Sequence, residues 1–149
     1  MKIAIGSDHG GFVLKNELLK HIQAKGYEIK DFGCYSTASI DYPDVAREVA
    51  EAVVKGEYDR GIVVCGTGIG ISIAANKIPG IRAALCGDCF SAKASREHNN
   101  ANILALGERV IGVELAKMIT DIWLSTEFEG GRHAGRVDKI SGLECRYNK

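Results

Sequence analysis

Arg60-Gly-Ile-Val-Val-Cys65-Gly-Thr-Gly-Ile-Gly70-Ile-Ser-Ile-Ala-Ala-Asn-Lys77 reads as strand, turn and helix. Gly61 to Cys65 is a short apolar run rich in β-branched residues, suited to a strand buried on both faces. Gly66, Gly68 and Gly70 let the backbone turn sharply and approach a ligand. Ile69 to Lys77 suits a helix of small residues. The loop amides then sit at a helix N-terminus, where an anion or a developing oxyanion is stabilised. Cys65 stands at the mouth of that nest, where the same field favours a thiolate.

Three better-known loops fail here on a residue their chemistry requires. A phosphate-binding NTPase loop ends Gly-Lys-Ser/Thr, and this one ends Gly70-Ile71-Ser72. A dinucleotide fingerprint needs a third glycine where Ile71 stands, and a cysteine phosphatase loop needs an arginine at that same place. From the loop alone, Cys65 reads equally as an inert, buried strand-end residue.

The 149 residues suit one domain, 1–149, and 46% of them are hydrophobic. Nineteen basic residues balance nineteen acidic ones, which argues against nucleic acid or an anionic membrane surface as the main partner. No run of apolar residues is long enough to span a membrane, and the N-terminus starts as a strand without a signal-peptide pattern. The five cysteines read as reduced thiols, so a cytoplasmic location is expected.

Outward from the central loop, strands and helices alternate. Strands are expected at Met1–Gly6, Tyr27–Phe32, Ile81–Cys86 and Asn102–Gly107. Helices are expected at Phe12–Lys25, Asp44–Val54, Phe90–Glu97, Ile111–Ser125 and Val137–Cys145, the last after a glycine-rich segment from Gly130 to Gly135. This alternation predicts an open parallel sheet with helices on both faces. Ligands in such sheets bind beyond the carboxyl ends of the strands, at a reversal of strand order. Asp8 and His9 follow the first strand, and Cys65 and Thr67 follow the third. His98 and Asn99 precede the fifth, and reach the same rim only through a helix end or from a partner subunit.

Each cluster has an ordinary reading beside the chemical one. Asp8 serves as a helix cap, but capping has no use for His9. His98 alone is a solvated surface histidine, while beside a candidate base it becomes an acid–base group. Arg132 and Arg136 are a solvated basic turn or, on one helical face, a phosphate clamp. Cys86-Gly-Asp-Cys89 is a lone pair of thiols without the second half of a zinc site, and no motif implies a catalytic metal.

In order along the chain stand Gly6-Ser-Asp-His-Gly-Gly11, Asp41-Tyr-Pro-Asp44, Cys65-Gly-Thr-Gly-Ile-Gly-Ile-Ser72, Glu97-His-Asn-Asn-Ala-Asn102 and Arg132-His-Ala-Gly-Arg136. The ordered set resembles the ribose/galactose isomerase family, type B ribose-5-phosphate isomerases in particular, over essentially the whole length. The resemblance implies a Rossmann-like three-layer α/β sandwich on a five-stranded parallel sheet. It implies interconversion of ribose 5-phosphate and ribulose 5-phosphate through a cis-enediolate, without metal or organic cofactor. It also implies homodimers or dimers of dimers that share sites between subunits.

By the same resemblance Cys65 is the base and Asp8 manages the proton between O1 and O2. His98, helped by Thr67, opens the sugar ring. The amides from Gly66 through Gly68 and Ile69 to Gly70, with Ser72, hold the reacting end. Arg132 and Arg136, with His9 and Arg109, hold the phosphate, and Tyr42 and Asn99 contact sugar hydroxyls. His98, Asn99 and Arg109 are expected from the partner chain. A six-carbon sugar phosphate, allose 6-phosphate or galactose 6-phosphate, and a phosphosugar-binding domain without turnover stay open as alternatives.

Overall fold

A computed structural model describes residues 1–148. It contains β1 (Lys2–Ser7), a short 3-10 turn (His9–Gly11), α1 (Phe12–Ala24), β2 (Glu28–Asp31), α2 (Tyr42–Val54) and β3 (Arg60–Cys65). Then follow α3 (Ile69–Ala75), β4 (Ala83–Leu85), α4 (Cys89–Glu97), β5 (Ile103–Gly107), α5 (Val113–Ser125) and α6 (Arg132–Tyr147). The strands pair in the order β2-β1-β3-β5-β4, all parallel.

Every residue of β3 and β5 is buried, as expected for strands covered on both faces. Alternate side chains divide between two cores. Ile3, Ile5, Ile62, Val64, Leu104 and Leu106 face α1 and α5, meeting Leu14, Leu18, Ile22, Ile119 and Trp123. Ala4, Val63, Cys65, Ile103 and Ala105 face α2 and α3, meeting Val45, Val49, Ile71 and Ala75. The strand order reverses between β1 and β3, so their carboxyl ends flank the crevice where such sheets bind ligands.

Several boundaries differ from the sequence expectations. The fourth strand is only Ala83–Leu85, because an edge strand pairs on one side; Arg82 instead receives Asn102 through its carbonyl. The second strand is likewise trimmed to Glu28–Asp31. The second helix starts two residues earlier, at Tyr42, with Pro43 in a first turn that needs no N–H from it. The glycine-rich segment is mostly helix: only Gly130 and Gly131 turn with positive φ, and α6 begins at Arg132 through Gly135. Little of α6 is buried, and Ile140, Leu143 and Tyr147 stand exposed on it. No helix among the described residues is long and apolar enough to cross a membrane.

One close approach fixes the crevice. A Cβ at Gly11 would stand 2.5 Å from the Val64 carbonyl oxygen and 2.6 Å from its carbon. Those atoms belong to a central strand and cannot give way. Gly11→Ala is therefore expected to cost about 1–3 kcal/mol, a fall in Tm of roughly 2–12 °C, read in thermal melts.

Candidate active site

Two groups of polar residues stand at opposite ends of the sheet. The first lies beyond the carboxyl ends of β1 and β3. Asp8 is 7% exposed; its carboxylate accepts the Gly10 N–H at 2.9 Å, and its own N–H donates to the Val64 carbonyl. The expected cap is thus real, and it ties the first loop to the end of β3. His9 accepts the Ile40 N–H on Nδ1 at 3.2 Å. That bond occupies Nδ1 and leaves Nε2 as the ring nitrogen available to a ligand.

Cys65 ends β3 and is 5% exposed. Its Sγ accepts the Gly68 N–H at 3.1 Å, a bond that strengthens when the sulfur is ionised. Gly68 takes φ +80°, and a Cβ there would strike Leu85 and the Leu106 backbone, so the loop turns back on β5 only with glycine. Thr67 is exposed and its Oγ1 accepts the Ile69 N–H at 3.1 Å. The oxyanion cradle expected from Gly66 to Gly70 is therefore narrower than the sequence suggests. The Gly68 and Ile69 amides are engaged, while those of Gly66, Thr67 and Gly70 make no hydrogen bond among the described residues. Ser72 is 8% exposed and turns its hydroxyl back to the Ile69 carbonyl at 2.7 Å, away from the crevice.

Two further residues border this loop. The Tyr42 ring covers Gly70: a Cβ at Gly70 would lie 2.7 Å from Tyr42 Cζ. Arg109, expected from the partner, lies instead over Gly66 of its own chain. Its N–H donates to the Gly66 carbonyl at 2.9 Å, and its Nη1 is 3.3 Å from where a Gly66 Cβ would stand.

Sequence reasoning missed the supports beneath this rim. Lys15 is fully buried, with Nζ donating to Asp31 at 3.0 and 2.9 Å and to the Cys34 carbonyl. It anchors the Gly33–Cys34 segment, which exchanges two backbone hydrogen bonds with Ser7, next to Asp8. Glu108 accepts the Leu14 N–H at 2.6 Å and donates its own N–H to the Cys65 carbonyl, joining α1 to the cysteine loop. The available signal was spacing: Lys15 stands three residues before Leu18 and seven before Ile22, on the apolar stripe of α1, where a lysine needs a partner.

The second group lies where β4 and β5 begin. His98 caps the C-terminal end of α4, followed by exposed Asn99 and by Asn100 at φ +47°. Two arginines hold this turn. Arg96 donates to Asn100 Oδ1 at 3.0 Å and to the Ala101 carbonyl at 2.6 Å, and Arg82 donates to the Asn100 carbonyl at 3.0 Å. Burial, and then the nearby Arg60, push the Arg96 guanidinium down to about 10, so it stays charged at neutral pH. Glu129 donates its N–H to the Glu97 carbonyl, which brings the start of α6, with Arg132 and Arg136, against the end of α4. The His98 ring stacks on His133, centroids 4.3 Å apart and planes 17° from parallel. Burial, the neighbouring His98 and Arg132 hold His133 below the usual imidazole value, hence neutral.

His98, Glu129 and His133 place three donor atoms within 4.8 Å of one another. The two imidazoles are nearly parallel, so their in-plane lone pairs do not converge on a point. Arg132 and Arg136 add positive charge beside them. The group fits an anion better than a cation.

The two groups do not meet in one chain. Cys65 pairs with Gly107 at the end of β5, whereas the His98 turn lies before Ile103 at its start. Four strand steps separate those levels, about 13 Å along the sheet alone. Asp8, His9, Tyr42, Cys65, Thr67 and Arg109 form one half, and His98, Asn99, Arg132 and Arg136 form the other.

The ribose/galactose isomerase family profile matches residues 3–140. The chain is 54% identical over 147 residues to ribose-5-phosphate isomerase B of Escherichia coli K12, covering 99% of each chain. It is 49% identical over 145 residues to the D-erythrulose-4-phosphate isomerase of Pectobacterium atrosepticum, covering 97% of this chain and 95% of that one. Among solved structures, ribose-5-phosphate isomerase B of Clostridium thermocellum superposes with a TM-score of 0.98 at 62% identity over 99% of both chains.

Proposed function

The chain belongs to the ribose/galactose isomerase family, and from that premise we propose the following division of its aldose–ketose isomerase chemistry among its residues. The substrate pair is ribose 5-phosphate and ribulose 5-phosphate. The observation that carries the reading is Cys65 at the strand-order reversal, its sulfur held by the Gly68 amide, with Asp8 on the adjoining strand end.

Two copies form the site, the carboxyl rim of one facing the His98 rim of the other. Ring opening comes first. The partner's His98, assisted by Thr67, takes the hydroxyl proton from O1 and passes it to ring oxygen O4 as the C1–O4 bond breaks, leaving the aldehyde and regenerating the imidazole. The Cys65 thiolate then takes the proton from C2. The electron pair moves into a C1–C2 double bond, and O1 becomes an oxyanion met by the free amides of the loop. One such donor is worth about 10²–10³ in rate. Asp8 passes the O2 proton to O1, and Cys65 returns its proton to C1, giving the ketose.

The partner's Arg132 and the partner's Arg136 clamp the phosphate bidentately, joined by His9 through Nε2–H. Arg109 reaches the phosphate end from the Cys65 side. Tyr42 and the partner's Asn99 meet the sugar hydroxyls. Holding the phosphate spends remote binding energy on placing C1 and C2 against Cys65. Homodimerisation is supported by the two half-sites and by the exposed apolar residues of α6. A cytoplasmic location is supported by five free thiols.

A coupled assay on the purified chain tests the reading, with ribose 5-phosphate, erythrose 4-phosphate, allose 6-phosphate and galactose 6-phosphate side by side. Turnover highest on ribose 5-phosphate is expected. Preference for a hexose phosphate would keep the mechanism and move the substrate. Binding without turnover of any would favour a phosphosugar-binding domain.

A further inference from the structure

We infer that His133 is a positioning residue for ring opening: its flat ring stacks on His98 and sets the plane in which that imidazole exchanges protons with the sugar. This rests on the reading that His98 opens the ring.

Three observations carry it. The rings lie 4.3 Å apart at 17°, so His133 covers one face of His98 and blocks its rotation about χ2. His133 is itself only 6% exposed, and its Nε2 lies 3.5 Å from Glu129 Oε2, a carboxylate that also stands within 4.8 Å of a His98 ring nitrogen. The N–H of His133 donates to the Gly130 carbonyl, and that of Glu129 to the Glu97 carbonyl, one residue before His98. The turn below is fixed by Arg96 and Arg82 through Asn100. His98 is thus gripped by backbone, by its C-cap position and by a stacked ring. A surface histidine with no task has no use for such confinement, which costs side-chain entropy. Proton transfer has a use for it, because rate falls steeply with misalignment.

Burial lowers the His133 value first, then the nearby charges of His98, Arg132 and Arg136, with the Glu129 carboxylate opposing them. A second imidazolium in that place would repel the phosphate clamp's own cations and the proton that His98 must accept.

The test separates shape from mere filling of space. His133→Phe keeps a flat ring, whereas His133→Leu fills similar volume without one. Two readouts are taken on each variant. One is net isomerisation of ribose 5-phosphate, which needs ring opening. The other is exchange of the C1 proton of ribulose 5-phosphate with D₂O, followed by NMR, which needs Cys65 but no ring. His133→Leu is expected to lose about tenfold or more in isomerisation and less than about twofold in exchange. His133→Phe is expected to restore isomerisation to within about threefold of wild type. Equal behaviour of the two variants, or equal loss in both readouts for His133→Leu, would overturn the inference. His98→Asn runs in parallel. If it fails to separate isomerisation from exchange, the ring-opening role of His98 has failed; if it separates them and His133→Leu does not, the positioning role of His133 has.

Discussion

Mixing two inactive variants, Cys65→Ala and His98→Asn, restores about a quarter of wild-type isomerase activity. This expected result follows from the placement of the two half-sites. Cys65 stands level with Gly107 at the end of β5, and the His98 turn precedes Ile103 at its start, so no side chain spans the gap within one chain. On the proposed division, each site of a dimer combines Cys65 from one copy with His98 from the other. A heterodimer of the two variants carries one site with both defects and one site with neither. Random reassociation makes about half the dimers mixed, and half the sites in those are intact, hence about a quarter. The variants are mixed after mild dissociation and assayed on ribose 5-phosphate against each alone. Restoration from near zero is the largest change expected here. No restoration, with subunit exchange shown by mass spectrometry, would put the whole site in one chain and require a rearrangement of α4 and α6.

Cys65→Ala alone is expected to lower kcat on ribose 5-phosphate by at least about 10³. A positioned general base contributes about 10²–10⁴, and this base acts twice, at C2 and at C1. The loss should fall on kcat, because the proposed phosphate clamp of Arg132 and Arg136 lies on the other half-site and is untouched. Calorimetric titration with ribose 5-phosphate should give a dissociation constant within about threefold of wild type. The D₂O exchange into ribulose 5-phosphate should vanish together with turnover. Alkylation offers a second readout. By exposure alone Cys145, which is exposed, should react with iodoacetamide before Cys65, which is buried. Ribose 5-phosphate should slow alkylation of Cys65, which borders the proposed substrate crevice, and leave that of Cys145 unchanged. A Cys65→Ala variant that keeps a tenth of the activity would move the base to Asp8, the other proton acceptor on this rim.

Much of the molecule was legible because local terms decide it. The run Ile62-Val63-Val64 is apolar on both faces and had to be a central strand, and it is. The alternation of strands and helices required a parallel sheet. The cysteine loop had to end a strand and open a helix. Asp8 as a cap and Cys65 at a glycine turn were read from neighbours within a few positions, and the ordered motifs supplied the family.

Other features rest on pairing between distant residues, and only the folded chain decided them. Strand order β2-β1-β3-β5-β4 is one, since nothing local chooses which edges meet. The burial of Lys15 against Asp31 and the Cys34 carbonyl is another, as is the use of the Gly68 and Ile69 amides inside the loop. Arg109 was expected from the partner but lies over Gly66, because β5 ends level with Cys65 on β3 and the turn after Gly107 passes beside the cysteine loop. The deepest separation is that of Cys65 from His98. The sequence by itself determined which residue types the chemistry uses. Parallel strands, each carrying its helix back to the opposite rim, decided that the chain holds them 13 Å or more apart, at about 3.3 Å per strand residue.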